Sequence, residues 1–267
     1  MKKETKQTQE TTRLNKFISH NSEYSRREAD KLIEEGRVSI NGEIVKDLAT
    51  QVTNDDRISI DKKTIKNDEN KMFTVIVYNK PKGELVTKND PQGRKIIFDT
   101  LGGKYRNFMP IGRLDYASEG VLLLTDSVDV YNTLVHSDLE RIYKIKLAGM
   151  LTKSCEDAML NGLELEDATS GARGDSRIKS MSFKPFSGYK VQSKNDNFSK
   201  LKVAITEGQN RELRRFFAHF SLDILDLKRV EFGGISLNNL PTGKSRFFTR
   251  KEYQDLKDYM KDMSHRD

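Results

Sequence analysis

The sequence predicts an α+β fold in two unequal units. Three observations carry this. Helical spacing gives way to a hairpin signal within the first 60 residues, an almost wholly polar stretch follows at 61–71, and beyond it strands and helices alternate irregularly rather than as βα repeats. The length of 267 residues suits one large domain or two unequal ones.

Residues 1–12 (MKKETKQTQETT) lack the apolar run of a secretory leader and are read as a disordered tail. Residues 13–60 read as a small module of helix, helix, strand, turn and strand. Leu14, Phe17 and Ile18 are spaced i, i+3, i+4, one face of a short helix. Ser25-Arg26-Arg27-Glu28 has the Ser-x-x-Glu form of a capping box. The helix it opens should bury Ala29, Leu32 and Ile33 and stop at Gly36. Val38 and Ile40 alternate with polar residues, and Asn41-Gly42 signals a two-residue hairpin turn. Ile44, Val45, Val52 and residues 58–60 supply further short strands. The polar 61–71 stretch reads as a linker.

Residues 72–260 form the larger predicted unit, on a mixed sheet, with 261–267 as a tail. A β-rich run at 73–78 ends at Asn79-Lys80-Pro81-Lys82-Gly83. The apolar run 121–124 suits a strand buried on both faces. Strands are also expected at 143–147 and 201–205. A helix at 210–220 would present Leu213, Phe216, Phe217 and Phe220 on one face. Thr249 and Glu252 form a capping box for a last helix burying Tyr253, Leu256 and Met260.

Composition narrows the function classes. No apolar run approaches the ~18–20 residues of a membrane helix. A single cysteine, Cys155, allows no intrachain disulfide, which fits a reducing, cytoplasmic location. One Cys and four scattered His (His20, His136, His219, His265) offer no zinc set, and no Gly-rich phosphate loop occurs, so neither metal nor organic cofactor is expected. His219 and Cys155 are read as structural. The net charge of +7 suggests a polyanionic partner. Most of the excess lies in residues 171–202, which hold eight basic and two acidic residues interleaved with Phe183, Phe186, Tyr189 and Phe198. Either this segment holds phosphates and unstacked bases, or it is an exposed hairpin whose aromatics turn inward.

Two segments stand out: 112–126 (GRLDYASEGVLLLTD) and 207–217 (EGQNRELRRFF). The first places an acid and a base in a loop that feeds a buried strand, a favoured position for reactive groups. The second puts Arg211, Arg214 and Arg215 near the start of an amphipathic helix. On a helical wheel Arg211 and Arg215 point away from the Phe face. Arg214 lies at its edge, where it can pair a carboxylate.

These segments resemble the pseudouridine synthases of the RsuA/RluB/RluF type. Residues 112–115 match the family's Gly-Arg-Leu-Asp signature, and residues 210–215 its Asn-Arg-x-x-Arg-Arg signature. Residues 13–60 resemble the S4 RNA-binding module that precedes the catalytic domain, and the likeness runs over about 13–257. The sequence departs from the pattern at Ser118, where Thr is common, and at Gln209 and Glu212, where a basic residue and Gln are common. The resemblance implies isomerisation of a uridine within RNA, with Asp115 as the catalytic aspartate. It implies Arg214 as the partner cation of Asp115 and Tyr143 as the ring against the target base. Arg113 would fill the space a flipped nucleotide leaves. Either role open to Asp115, attack at C1′ or removal of a sugar proton, needs an ionised carboxylate shielded from water.

RNA contacts are expected from Arg13, Lys16, Ser25, Arg26, Arg27, Lys31, Arg37, Asn41, Lys46, Arg113, Asn210, Arg211 and Arg215. A solvated face accounts for part of that set. Read alone, Asp115 is a loop-capping residue, Arg214 a solvated helix charge and Tyr143 a core aromatic. The resemblance implies ribosomal RNA or a ribosomal subunit precursor as partner, large-subunit RNA ahead of small, with a monomer as the default state. A non-catalytic RNA-binding ribosome-assembly factor on the same fold is the rival. A DNA-binding regulator with a helix-turn-helix at 13–35 leaves everything from Phe73 onward unexplained.

Overall fold

The computed structural model describes residues 11–264, apart from 23, 25, 54, 66–72 and 175. The chain divides into two units at Phe73/Thr74. No helix among the described residues is long and apolar enough to cross a membrane.

The first unit runs β1 (Thr12–Arg13), α1 (Leu14–Asn21), α2 (Arg26–Glu34), β2 (Val38–Ile40), β3 (Glu43–Ile44), β4 (Gln51–Val52), β5 (Ile58–Ile60) and β6 (Lys63–Thr64). Leu14, Phe17 and Ile18 of α1 meet Ala29, Leu32 and Ile33 of α2 in one core with Val38, Val52, Ile58 and Ile60. Burial of each of the large side chains among them is worth roughly 1.5–3 kcal/mol. Gly36, at φ +72, ends the second helix. Asn41 (φ +53) and Gly42 (φ +97) make the two-residue turn between β2 and β3.

Three boundaries differ from the sequence reading. Thr12, assigned to the tail, pairs with Val52, and the Thr11 hydroxyl donates to Gln51. The polar stretch assigned to a linker begins as structure: Asp61 and Lys62 turn at positive φ, and Lys63 and Thr64 pair back onto Ile60 and Ser59. Polarity there reflects an exposed edge hairpin, which looks like a linker in composition. The expected tail at 261–267 is helical up to Ser264. Residues 1–10, residues 66–71 of the linker and Ser25 of the capping box lie outside the described residues.

The second unit runs β7 (Val75–Lys80), α3 (Ile97–Leu101), β8 (Met109–Pro110), β9 (Glu119–Thr125), α4 (Val128–Val135), β10 (Arg141–Ala148), α5 (Lys153–Asn161), β11 (Leu163–Leu165), β12 (Met181–Phe183), β13 (Gly188–Lys194), β14 (Phe198–Ile205), α6 (Glu212–His219), β15 (Ile224–Phe232), β16 (Ile235–Ser236), β17 (Ser245–Phe247) and α7 (Arg250–Ser264). Its main sheet has the order β13-β14-β10-β15-β9-β7-β17, with β8 added to β9 and β16 to β15. The β15–β9 pair is parallel and its neighbours are antiparallel, so the sheet is mixed.

Strands β7 and β9 are buried on both faces, which explains their unbroken apolar runs. Ile76, Tyr78, Leu122 and Leu124 join one core with Tyr143, Ile145, Val203, Leu213, Phe216 and Phe217. On the other face Val75, Val77, Val121 and Leu123 are buried, as are Val130 and Leu134 of α4 and Leu256 of α7. The last helix opens on the expected box: the Thr249 N–H donates to Glu252 and the Glu252 N–H to the Thr249 hydroxyl.

The parallel pairing sets Gly120 against Arg229. Gly120 has φ +109, and a Cβ there would fall 2.0 Å from the Arg229 carbonyl oxygen. Only glycine permits that approach. The loop before β9 is thereby held against β15.

The helix expected at 210–220 starts two residues later. Asn210 and Arg211 precede it, and Arg211 sits in the left-handed region at φ +53. Three of the four aromatics of the basic 171–202 segment pack on the core. Phe183 and Phe186 are buried with ring centroids 5.5 and 4.8 Å from that of Phe216, and Tyr189 packs on the same core. Phe198 is only part-buried, with Lys146 and Lys200 over its ring. Lys184 and Lys194 pair with Glu207 and Glu156. The segment is folded, with β12 paired to β11 and β13 to β14, and Phe183, Phe186 and Tyr189 serve the core.

Candidate active site

A cleft of about 380 Å³ opens at one end of the main sheet. Three pieces of chain build it. The loop before β9 brings Arg113, Asp115 and Ser118. The turn into α6 brings Arg211, Glu212 and Arg214. The β10–β15 pair brings Arg141, Tyr143 and Arg229. Along β10 buried residues alternate with less buried ones, so Arg141, Tyr143 and Ile145 share one face. Arg229 is the direct partner of Tyr143 in the ladder and lies on that same face.

Asp115 Oδ2 lies 3.3 Å from Arg211 Nη1 and 3.3 Å from Arg214 Nε. The carboxylate side chain is 30% exposed, against 13% for Arg214, so it meets the cleft while its cations stand behind it. Burial lowers the Arg214 pKa, and Asp115 beside it acts the other way. Arg214 also donates to the Ser118 hydroxyl and the carbonyls of Ala117 and Ile224 at 3.3–3.5 Å. Ser118 thus uses the hydroxyl it shares with threonine. Arg211 donates from Nε to the Gly171 carbonyl at 2.7 Å.

The loop itself rests on Lys80. Its fully buried ammonium donates to the carbonyls of Pro81, Asp115 and Ser118 at 2.9, 3.2 and 2.9 Å. Burial pushes the Lys80 pKa down to about 8, while Glu84, Asp115 and Glu119 oppose the shift. Glu84, also fully buried, accepts from the Tyr78 and Thr100 hydroxyls and pairs with Lys95 at 3.0 Å. In the sequence Lys80 stands only as part of the segment that ends a β-rich run, without a role. Its signal was a lysine closing an apolar strand, where a cation needs partners.

Of the expected residues, Asp115, Tyr143, Arg214, Arg113 and Arg211 line one cleft. Tyr143 is buried and Arg113 exposed. Arg215 is a correction. It is fully buried and donates to the carbonyls of Ala168, Ile178 and Asn210 and to the Ser176 hydroxyl. It clasps the 168–178 loop and meets no solvent, so it is no RNA contact. The Asn210 amide is exposed and its oxygen accepts from Arg215 at 3.4 Å.

In the first unit Arg13, Lys16, Arg26, Arg27, Lys31 and Lys46 are exposed. Arg37 is engaged by Asp61 and Glu35, and Asn41 by Asp56 and the Arg57 N–H. Those two hold the module's own turns, so turn chemistry explains them. Ser25 lies outside the described residues. Cys155 is buried, with its thiol pushed up to about 12 by burial, as suits a structural residue.

A carboxylate held by two guanidinium groups, in a cleft that a buried tyrosine also lines, suits an RNA-modifying enzyme. Residues 12–58 match the S4 domain family and residues 74–219 the family described as RNA pseudouridylate synthase. The chain belongs to the RNA pseudouridylate synthase family. It is 53% identical over 248 residues to a Helicobacter pylori protein named as an uncharacterized RNA pseudouridine synthase, covering 93% of this chain and 94% of that one. It is 32% identical over 247 residues to the ribosomal large subunit pseudouridine synthase B of Bacillus subtilis, covering 92% and 95%. A crystal structure described as a pseudouridylate synthase superposes with a TM-score of 0.60 at 27% identity, covering 91% of this chain and 99% of the other.

Proposed function

We propose that the enzyme converts one uridine of large-subunit ribosomal RNA to pseudouridine, with Asp115 as the reacting carboxylate. The observation that carries this is the Asp115 carboxylate at the cleft wall, 3.3 Å from both Arg211 and Arg214, in a cleft that Tyr143 also lines. The N1–C1′ bond breaks with its electron pair left on the uracil ring, the base turns, and C5 bonds to C1′. The C5 proton is lost and N1 gains one, so atoms balance without any co-reactant. Asp115 answers the charge that develops on the sugar, and the two guanidinium groups hold the carboxylate in place.

Tyr143 packs against the target base, and the exposed Arg113 takes the place of the nucleotide drawn out of the stack. Arg13, Lys16, Arg26, Arg27, Lys31 and Lys46, all exposed on the S4 unit, contact the RNA backbone. The large-subunit target is supported by the name of the Bacillus subtilis relative. In this reading a single chain acts on ribosomal RNA or a subunit precursor in the cytoplasm.

Pseudouridine mapping of ribosomal RNA from cells with the gene, without it, and with an Asp115→Asn allele tests the reading. One large-subunit site should disappear in the second and third. A full set of pseudouridines in all three would leave a non-catalytic assembly factor as the better account.

A further inference from the structure

Arg229 is 3% exposed, lies on the floor of the cleft, and its Nη2 has no hydrogen-bond partner among the described residues. Its Nε is held by the Val121 carbonyl at 2.7 Å, so the head group has a fixed direction. Its guanidinium carbon lies 5.4 Å from the Phe232 ring centroid, and Arg141 lies over the same ring at 4.9 Å. Arg141 is satisfied by the carbonyls of Leu139, Thr206 and Ser137. Neither arginine has a carboxylate within ion-pair distance among the described residues; Glu212 and Asp138 act on Arg141 from farther off, and the Arg229 head group keeps an unused donor. An unpaired buried donor of this kind is costly and calls for a ligand.

The strand register says which part of a ligand it meets. Arg229 is the cross-strand partner of Tyr143 on the same sheet face. A base lying against the Tyr143 ring therefore places its edge toward Arg229. Asp115 meets the sugar from the loop wall above, and Arg211 and Arg214 are occupied by it.

We propose that Arg229 is a further catalytic residue, donating from Nη2 to a carbonyl oxygen of the target uracil. When the N1–C1′ bond breaks, the electron pair stays on the ring and is shared with O2 and O4. A guanidinium on the cleft floor with a donor to spare stabilises that charge as it forms. The inference rests on the reading of Tyr143 as the ring against the base. It adds a role for the floor of the cleft: it holds the leaving base during its turn.

The test compares single-turnover pseudouridine formation on RNA carrying uridine, 2-thiouridine or 4-thiouridine at the target. Sulfur accepts hydrogen bonds poorly, so at one of the two positions the full-length enzyme should slow about tenfold or more. Arg229→Gln should lose roughly 10²–10³-fold on uridine RNA. It should also lose the thio-sensitivity, which a purely structural defect would not remove. Arg229→Lys is the second variant should the first not fold, with thermal melting as the check on both.

Wild-type rates indifferent to sulfur at both positions would overturn the assignment, as would a folded Arg229→Gln with wild-type rate or undiminished thio-sensitivity. Wild-type activity on uridine RNA that depends on Asp115 and Tyr143 stands independently, so the wider reading and this one fail separately.

Discussion

Lys80 Nζ lies 3.2 Å from the backbone carbonyl oxygen of Asp115, so a fully buried lysine at the end of β7 sets the position of the carboxylate without touching it. The carbonyls of Pro81 and Ser118 take its other two protons. A neutral amine has only two N–H groups and cannot hold all three.

Activity should therefore fall as pH rises through about 8, where Lys80 loses its proton. Stability should move the other way. Unfolded, the group keeps its proton to about 10.5, so between 8 and 10.5 the unfolded state binds more protons and folding gains from this residue. A pH–rate profile read beside melting curves separates a loosened loop from an unfolded protein. Lys80→Met should be slow at every pH, by roughly 10²-fold, and lack the alkaline limb. A Lys80→Met enzyme with an unchanged profile would detach Lys80 from the loop.

Arg211 and Arg214 stand at equal distances from Asp115 Oδ2 but are not equivalent. Arg214 is the less exposed and is anchored to Ser118, Ala117 and Ile224. Arg211 reaches the carboxylate from a left-handed backbone that costs a non-glycine residue roughly 1–3 kcal/mol. Arg214→Ala should reduce the single-turnover rate about 10²–10³-fold. Arg211→Gly removes the strain along with one cation and should cost only about tenfold, with a melting temperature near wild type. Equal losses in the two variants would count against this division.

Glu212 is buried at the cleft edge, and burial raises its carboxyl to about 7 against the pull of the Gln209 N–H, Arg141 and Lys184. Between 4.5 and 7 the folded state holds more protons than the unfolded, so this residue draws stability down as pH rises through that window. Glu212→Gln keeps an acceptor for the Gln209 N–H, 2.8 Å away, without the charge. Denaturant titrations should show it more stable than wild type at pH 8 by about 1–3 kcal/mol, with the gap closing near pH 4.5. A variant less stable at pH 8 would show that the charge is compensated.

Local pattern made much of this legible. The period of 3.6 in α1, α2 and α6 and the apolar runs of β7 and β9 are properties of neighbouring residues, and they pointed to the right elements. The resemblance put Asp115, Tyr143 and Arg214 together, and the structure sets all three around one cleft. Distant pairing was not legible. That Arg229 pairs with Tyr143 across β15 and β10 decides that it faces the cleft, and no short-range signal encodes it. Lys63 and Thr64 looked like linker because an exposed hairpin and a linker share a composition. Short elements such as β8, β11 and β12 carry too few residues to show a period.

Arg215 shows the same limit and yields the last prediction. A helical wheel correctly puts it off the Phe face of α6, and a lone helix would leave it in water. The 168–178 loop folds over that side and supplies acceptors from Ala168, Ile178 and Ser176, with Asn210 closing the set. Hydrogen bonds to a charged donor are worth roughly 1.5–3 kcal/mol each, less the cost of burying the charge. Arg215→Met should remove the donors, strand those carbonyls, and destabilise the protein by about 3 kcal/mol or more in denaturant titration. At temperatures where the variant is folded, its RNA affinity and the salt dependence of binding should match wild type, because no phosphate reaches this residue. A weaker salt slope in the folded variant would return Arg215 to the RNA-binding surface.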